Sequence, residues 1–254
     1  MQSVVYDGSF EGFLCAVFDV YDYKFEDADI CPESRFEGNI FGAAHTVHTN
    51  KVNHERIWTG LKNKLTLEAQ GQLYRTFLSG LPGIENSLLH YIQYVFSSPQ
   101  FMEQDFSHPA VITITQTAKK VWREKHRMEA FVRFQKTADG LFYAVIEPDY
   151  HVLPLISDHF KKRYADQCWL IYDAKRRQGI YYDLHTVADV QLNFSEEANG
   201  GNDLTAVYGE GEEMYQQLWQ QYFKSVNIAA RKNTRLHIQH MPKRYWKYLP
   251  EKRG

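Results

Sequence analysis

The chain has 254 residues, 44% of them hydrophobic and 15% aromatic, and a formal net charge of −2. That length allows one large domain or two modest ones with an adequate core, and the apolar content excludes a disordered chain. No apolar run approaches the roughly 18 residues that a membrane-spanning helix needs, and the first residues lack a basic region followed by an apolar one, so the expected location is the cytoplasm, with no membrane partner.

The small net charge hides an uneven distribution. Residues 231–254 carry eight Lys/Arg against the single Glu251, and residues 119–136 carry seven basic against two acidic residues, whereas acids concentrate at 7–37 and 196–213. Such asymmetry points to an anionic partner. Cys15, Cys31 and Cys168 are odd in number and far apart, without zinc or iron–sulfur spacing, and read as free thiols.

Taken in order, residues 3–6 form a short β-type run, and the turn Asp7-Gly8-Ser9 ends in a residue able to cap a helix reaching about Tyr23. Phe10, Leu14, Val17 and Tyr21 recur at helical spacing and predict one buried face. Residues 22–42, rich in acids, Gly and Pro, predict an extended connection with little regular structure. Asn53 is expected to cap a helix carrying Ile57, Trp58, Leu61 and Leu65, and Thr66 one carrying Ala69, Leu73 and Phe77. After the break at 80–83, Ile84, Leu88, Tyr91 and Val95 line a third helix, which Ser97-Ser98-Pro99 ends. The run VITIT at 111–115 has strand composition. Ser107-His108-Pro109 has the form of a helix start, however, and Val111, Thr115, Ala118 and Trp122 share a helical face, so a helix is expected there.

Residues 127–183 read as hairpin, helix, hairpin. The strands EAFVRFQK (129–136) and LFYAVIE (141–147) flank an Asp139-Gly140 turn; Ser157 can cap a short helix; CWLIYD (168–173) and IYYD (180–183) flank a second turn. Residues 189–194 offer an edge strand, and Tyr215, Trp219, Tyr222 and Val226 form the stripe of a further helix. The expected fold is α+β: an antiparallel sheet from two hairpins with a crossing helix, packed with a mostly helical N-terminal region and a C-terminal helix plus basic tail. The corresponding segments are 1–125, 126–195 and 196–254, within one compact unit.

Candidate chemistry is sparse. His45, His48 and His54 lack a nearby cysteine or fixed carboxylate and read as loop histidines, so neither a metal site nor a cofactor is expected. Asp173 and Asp183, taken as matching ends of two paired strands, are the candidate acid/base pair; the competing role is turn capping, with Asp173 pairing to Arg176 or Arg177. Nothing resembles a nucleophile elbow, a Walker loop or a Rossmann fingerprint. The strongest positive signal is the tail. Arg231, Lys232, Arg235, Lys243, Arg244 and Lys247 alternate with Tyr245, Trp246 and Tyr248, a combination that suits phosphates and unstacked bases. The alternative is that these aromatics anchor the tail to the body.

Four motifs carry a family resemblance: YDGSFEGFLCAVF at 6–18, EKHRMEAFVRF at 124–134, EPDYHVLPLISDHFKKRYADQCWLIYDAKR at 147–176 and RKNTRLHIQHMPKRYWKYLPE at 231–251. With these the chain resembles a bacterial family, a domain of unknown function, described as DNA-repair or DNA-metabolism proteins. The resemblance implies a radical-SAM partner and, in some relatives, a joined uracil-DNA-glycosylase-superfamily domain. It carries no agreed catalytic residues; Arg127, Arg133, Asp173, Arg176, Arg231, Asn233, Met241 and Trp246 are motif positions that suit a shared site or a shared core. Without clustered cysteines this chain cannot itself hold the radical-SAM cluster. The leading expectation is therefore a DNA-associated accessory protein whose nucleic-acid surface includes Arg127, Arg133, Arg176, Arg231, Lys232, Asn233, Arg235, Lys243, Arg244, Tyr245, Trp246 and Lys247. The alternatives are an enzyme acting on DNA or a modified nucleotide through Asp173 or Asp183, and a protein-interaction adaptor.

Overall fold

A computed structural model describes residues 2–37, 44–98, 103–136, 140–191 and 241–249. The chain divides into two compact units, Met1–Trp122 and Arg123–Gly254.

The first unit opens with β1 (Gln2–Tyr6), α1 (Phe10–Asp22) and β2 (Ala28–Pro32), followed by a 3-10 turn (Glu33–Arg35) and the two-residue β3 (His45–Thr46). The three strands make a parallel sheet in the order β2-β1-β3. Ser9 Oγ accepts from Gly12 N at 2.9 Å and caps α1, whose Phe13, Leu14 and Val17 are buried. Three helices complete the unit: α2 (Lys51–Lys64), α3 (Leu67–Phe77) and α4 (Ile84–Ser97). Leu61, Leu73, Leu88 and Ile92 are fully buried with Val4 and Phe13 in one cluster. Glu85, in the first turn of α4, is buried as well and takes bonds from Tyr6 Oη (3.2 Å) and the Arg35 guanidinium. Burial, with the Glu85 charge next, pushes the Tyr6 phenol far above its ordinary range.

Two expectations change here. The stretch 22–42 contains a strand, because Ile30 is buried and its N–H is taken by Asn86 Oδ1 at 2.9 Å, while Asp29 accepts from Asn86 Nδ2 at 2.5 Å and Asp27 and Glu33 are exposed. The cap of α2 is Asn50, whose side chain accepts from Asn53 N at 2.9 Å, so Asn53 is the third helical residue.

Helix α5 (Pro109–Phe131) begins in the first unit and ends in the second. The helical choice for 111–115 is the right one, with the buried stripe rotated to Val111, Ile114, Ala118 and Val121, and Trp122 is 40% exposed. The stripe continues through Glu124 and Met128, both covered, so the helix extends into the segment expected as a strand at 129–136. In an alternating run residues four apart also share a helical face, and the buried Met128 continues the helical stripe into this segment. Only β4 (Gln135–Lys136) is left as strand.

The second unit continues with β5 (Phe142–Ile146), α6 (Leu153–Arg163), β6 (Trp169–Asp173), β7 (Gln178–Tyr182) and β8 (Val187–Gln191), in the sheet order β4-β5-β6-β7-β8. The α+β class holds and both hairpins exist, but β5 and β6 pair in parallel, so the sheet is mixed. The reason is the connection: a crossing helix returns the chain to the end from which it started, as in any β-α-β unit. Helix α6 begins at Leu153 with Pro154 in its first turn, and Ser157, expected as its cap, lies inside it and donates to Pro154 O at 3.1 Å. Leu153, Ile156 and Phe160 are buried, and the Phe160, Trp169 and Phe134 rings pack together. A closing 3-10 helix (Lys243–Tyr248) lies beside β5. The helix expected around Tyr215–Val226 and the residues Arg231, Lys232, Asn233 and Arg235 lie outside the described residues.

Candidate functional site

Four segments of the second unit meet in one polar cluster: the start of its α5 portion (Arg123, Glu124, Arg127), the loop after β5 (Glu147 to His151), the turn after β6 (Asp173 to Arg177) and the closing 3-10 helix. Burial arranges it in two tiers. Glu124 and Asp173 are covered, with side chains 1% and 0% exposed, while Arg244 and Lys247 above them are 42% and 56% exposed.

Asp173 ends β6 and caps the turn that follows. It accepts from Lys175 N (3.0 Å), Arg176 N (3.2 Å) and Arg176 Nη1 (2.9 Å). Burial raises its carboxyl above the usual range, against the lowering effect of the Arg176 bond and charge. Arg176 continues to Pro148 O (3.1 Å) and Asp149 O (2.9 Å), fastening the β6 turn to the β5 loop. Asp149 is the hub. Its N–H donates to Glu124 Oε1 at 2.9 Å, its carbonyl also accepts from Lys175 Nζ at 3.5 Å, and its Oδ2 pairs with Arg244 Nη2 at 2.6 Å.

Glu124 also accepts from the Tyr245 hydroxyl, from Arg244 Nη2 (3.3 Å) and from Arg127 Nη1 (3.5 Å). Lys247 Nζ meets Glu147 Oε2 at 2.5 Å, and Tyr248 donates to the same carboxylate. Burial works against the Glu147 charge, but the bonds from Lys247 and Tyr248 prevail and hold its carboxyl below the usual range. Arg127, Lys175, Arg176, Arg244 and Lys247 thus face four carboxylates, with Arg123 exposed beside them and acting on Tyr150. Arg244 uses Nη2 for its bonds to Glu124, Asp149 and Tyr245 Oη, so Nε and Nη1 make no bond to a described residue.

His151 sits behind this cluster. Burial, reinforced by the Arg176 charge, lowers its imidazole from 6.5 to about 4. Gln178 Nε2 lies 2.9 Å from Nδ1 and 3.4 Å from Nε2 of the His151 ring.

The cluster brings together Arg127, Asp173, Arg176, Arg244, Tyr245 and Lys247 of the expected site residues. Tyr245 is an anchor, 2% exposed, and its ring lies 5.8 Å from that of Phe131. Lys243 stays exposed, 5.9 Å from the half-buried Trp246 ring, whose Nε1 donates to Met241 O at 3.1 Å. Arg133 stands apart. Its Nη1 bonds the carbonyls of Ala130 (2.7 Å) and Val132 (3.2 Å), closing the end of α5.

The expectation that Asp173 and Asp183 are neighbours is corrected. In the β6–β7 register Asp173 faces Gln178 at the turn, whereas Asp183 follows Tyr182, which faces Trp169 at the other end. Five steps along the strand put them roughly 17 Å apart. Asp183 caps its own turn, accepting from Thr186 N (2.7 Å) and His185 N (2.9 Å), and those bonds hold its carboxyl below the usual range.

The sequence reading missed Glu124, Glu147, Asp149 and His151. A signal existed for Glu124: once the α5 stripe is extended from Val121 to Met128, an acid falls on its apolar side, and a buried carboxylate implies dedicated donors. Among the described residues no group of three or more metal-ligating side chains occurs; His45 instead bonds Asp19 Oδ2 at 2.8 Å. No helix among them is long and apolar enough to cross a membrane.

A family model described as a domain of unknown function, DUF4130, matches residues 82–251, which includes the whole cluster. No curated protein and no solved structure matches the chain.

Proposed function

We propose that this chain, which belongs to the DUF4130 family, is a DNA-associated accessory protein whose two-tier cluster grips phosphates on behalf of a catalytic partner. The observation that carries this reading is the spare hydrogen-bonding capacity of Arg244. Buried carboxylates hold Arg244 and Arg176 by one side, and Arg244 Nε and Nη1 still have no bond to a described residue. A guanidinium positioned by a carboxylate on one side suits a phosphate on the other. Exposed Arg123, Lys175, Arg177 and Lys243 enlarge the positive surface, and Trp246 offers a ring for base stacking. The family resemblance supports a radical-SAM protein as the partner and a uracil-DNA-glycosylase-like protein as a further one.

The test is fluorescence anisotropy of labelled single-stranded and duplex DNA across a salt series. Lys175→Glu and Lys243→Glu change exposed side chains, so the fold is retained. Each is expected to weaken binding and to reduce the salt slope by about one. Absence of binding at low salt for the unaltered protein would reject the reading and favour an adaptor role.

A further inference from the structure

Within the second unit, residues 243–249 lie against the body as a strap. Leu249 is fully covered and Tyr245 nearly so, while Lys243, Arg244 and Lys247 face outward. Four polar side chains of the strap are bound to acids: Arg244 to Glu124 and Asp149, Tyr245 to Glu124, Lys247 and Tyr248 to Glu147. The two cations of this set are also cations of the proposed phosphate grip. A phosphate brought to these two cations places its own negative charge beside the Glu147 and Asp149 carboxylates that hold them at 2.5 and 2.6 Å. Polyanion and strap anchor therefore compete electrostatically for the same two cations.

The lower tier tolerates the exchange. Were Arg244 and Tyr245 to leave, Glu124 would keep the Asp149 N–H at 2.9 Å and Arg127 at 3.5 Å, and Asp173 would keep all three donors, none of which belongs to the strap. No buried carboxylate is left without a partner, so opening the strap exposes Tyr245 and Leu249 but strands no buried charge.

We propose that residues 243–249 form a charge-latched strap, held closed by Glu147, Glu124 and Asp149 and released when a polyanion takes Arg244 and Lys247. The release by nucleic acid rests on the reading above; the latch itself does not. The experiment is hydrogen–deuterium exchange of the full chain at low salt, following the strap alongside β5 and β6. Glu147→Gln is expected to speed exchange in the strap about tenfold and leave β5 and β6 unchanged. Saturating single-stranded oligodeoxythymidylate is expected to speed strap exchange in the unaltered protein, and Glu147→Gln to bind it more tightly, because less of the closed state has to be displaced. An oligonucleotide that binds while strap exchange slows or stays constant overturns release but leaves the DNA reading intact. Where no oligonucleotide binds, the DNA reading falls, and the latch stands or falls on Glu147→Gln alone: unchanged strap exchange in that variant overturns it.

Discussion

Gly12 and Asp7 are packed so closely that a β-carbon on residue 12 would lie 2.1 Å from Asp7 Oδ1, and 2.9 Å from Thr49 Oγ1. The Asp7 side chain is not free to swing away. Its carboxylate accepts from Ser9 Oγ (2.6 Å), Ser9 N (2.9 Å) and Thr49 Oγ1 (2.8 Å), tying the end of β1 to the start of α1 and to the segment after β3. Gly12→Ala is therefore expected to cost about 1–3 kcal/mol in urea denaturation, although alanine favours helix elsewhere. A neutral or stabilising result would mean that this corner can relax.

Glu124→Gln preserves shape and removes the charge to which Arg127 and Arg244 are paired. Hydrogen bonds to charged groups contribute more than neutral ones, so a loss of about 2–3 kcal/mol is expected from urea titration. A loss below about 0.5 kcal/mol would show that the lower tier is not what holds the cluster.

Asp173→Asn tests turn capping against catalysis. The buried carboxylate receives two backbone N–H groups and Arg176, so the variant is expected to lose about 2–4 kcal/mol. Asp183→Asn, at an exposed turn, should lose much less. A retained melting temperature for Asp173→Asn with loss of some measured turnover would instead favour the acid/base role.

His151 predicts a pH dependence. Its pKa falls from 6.5 in the unfolded chain to about 4 in the fold, so the unfolded state binds the proton more readily. The contribution is fully present above pH 6.5 and is lost as pH falls toward 4, amounting to about 3 kcal/mol at most. His151→Asn removes the titrating group and keeps a polar side chain beside Gln178. It should flatten the stability profile across that window, as followed by denaturation at several pH values.

Much of this fold was readable from local pattern. Ser9 and Thr66 announce their helices, the break at 80–83 is punctuated by glycines, and the CWLIYD and IYYD strands pair as their alternation suggests. What was not readable depends on partners distant in sequence. The alternation of 129–136 also fits part of a helix, and it is the packing of Met128 that carries the helical stripe into this segment. The parallel joining of β5 to β6 follows from where α6 lies, which no short window contains. For the site, cation-rich segments were visible, but the carboxylates that position them were not. Glu124 is a single acid whose importance comes from donors 25 and 121 positions away.

The sequence separation of Glu124 and Tyr245 also constrains biosynthesis. At roughly 5–20 residues per second, a ribosome takes roughly 6–25 seconds to pass from one to the other. Within that interval the hairpin strands, which end at Gln191, are complete before Arg244 and the Tyr245 phenol are made. Any part of this unit that folds before residues 243–249 emerge therefore does so with the places of Tyr245 and Leu249 uncovered.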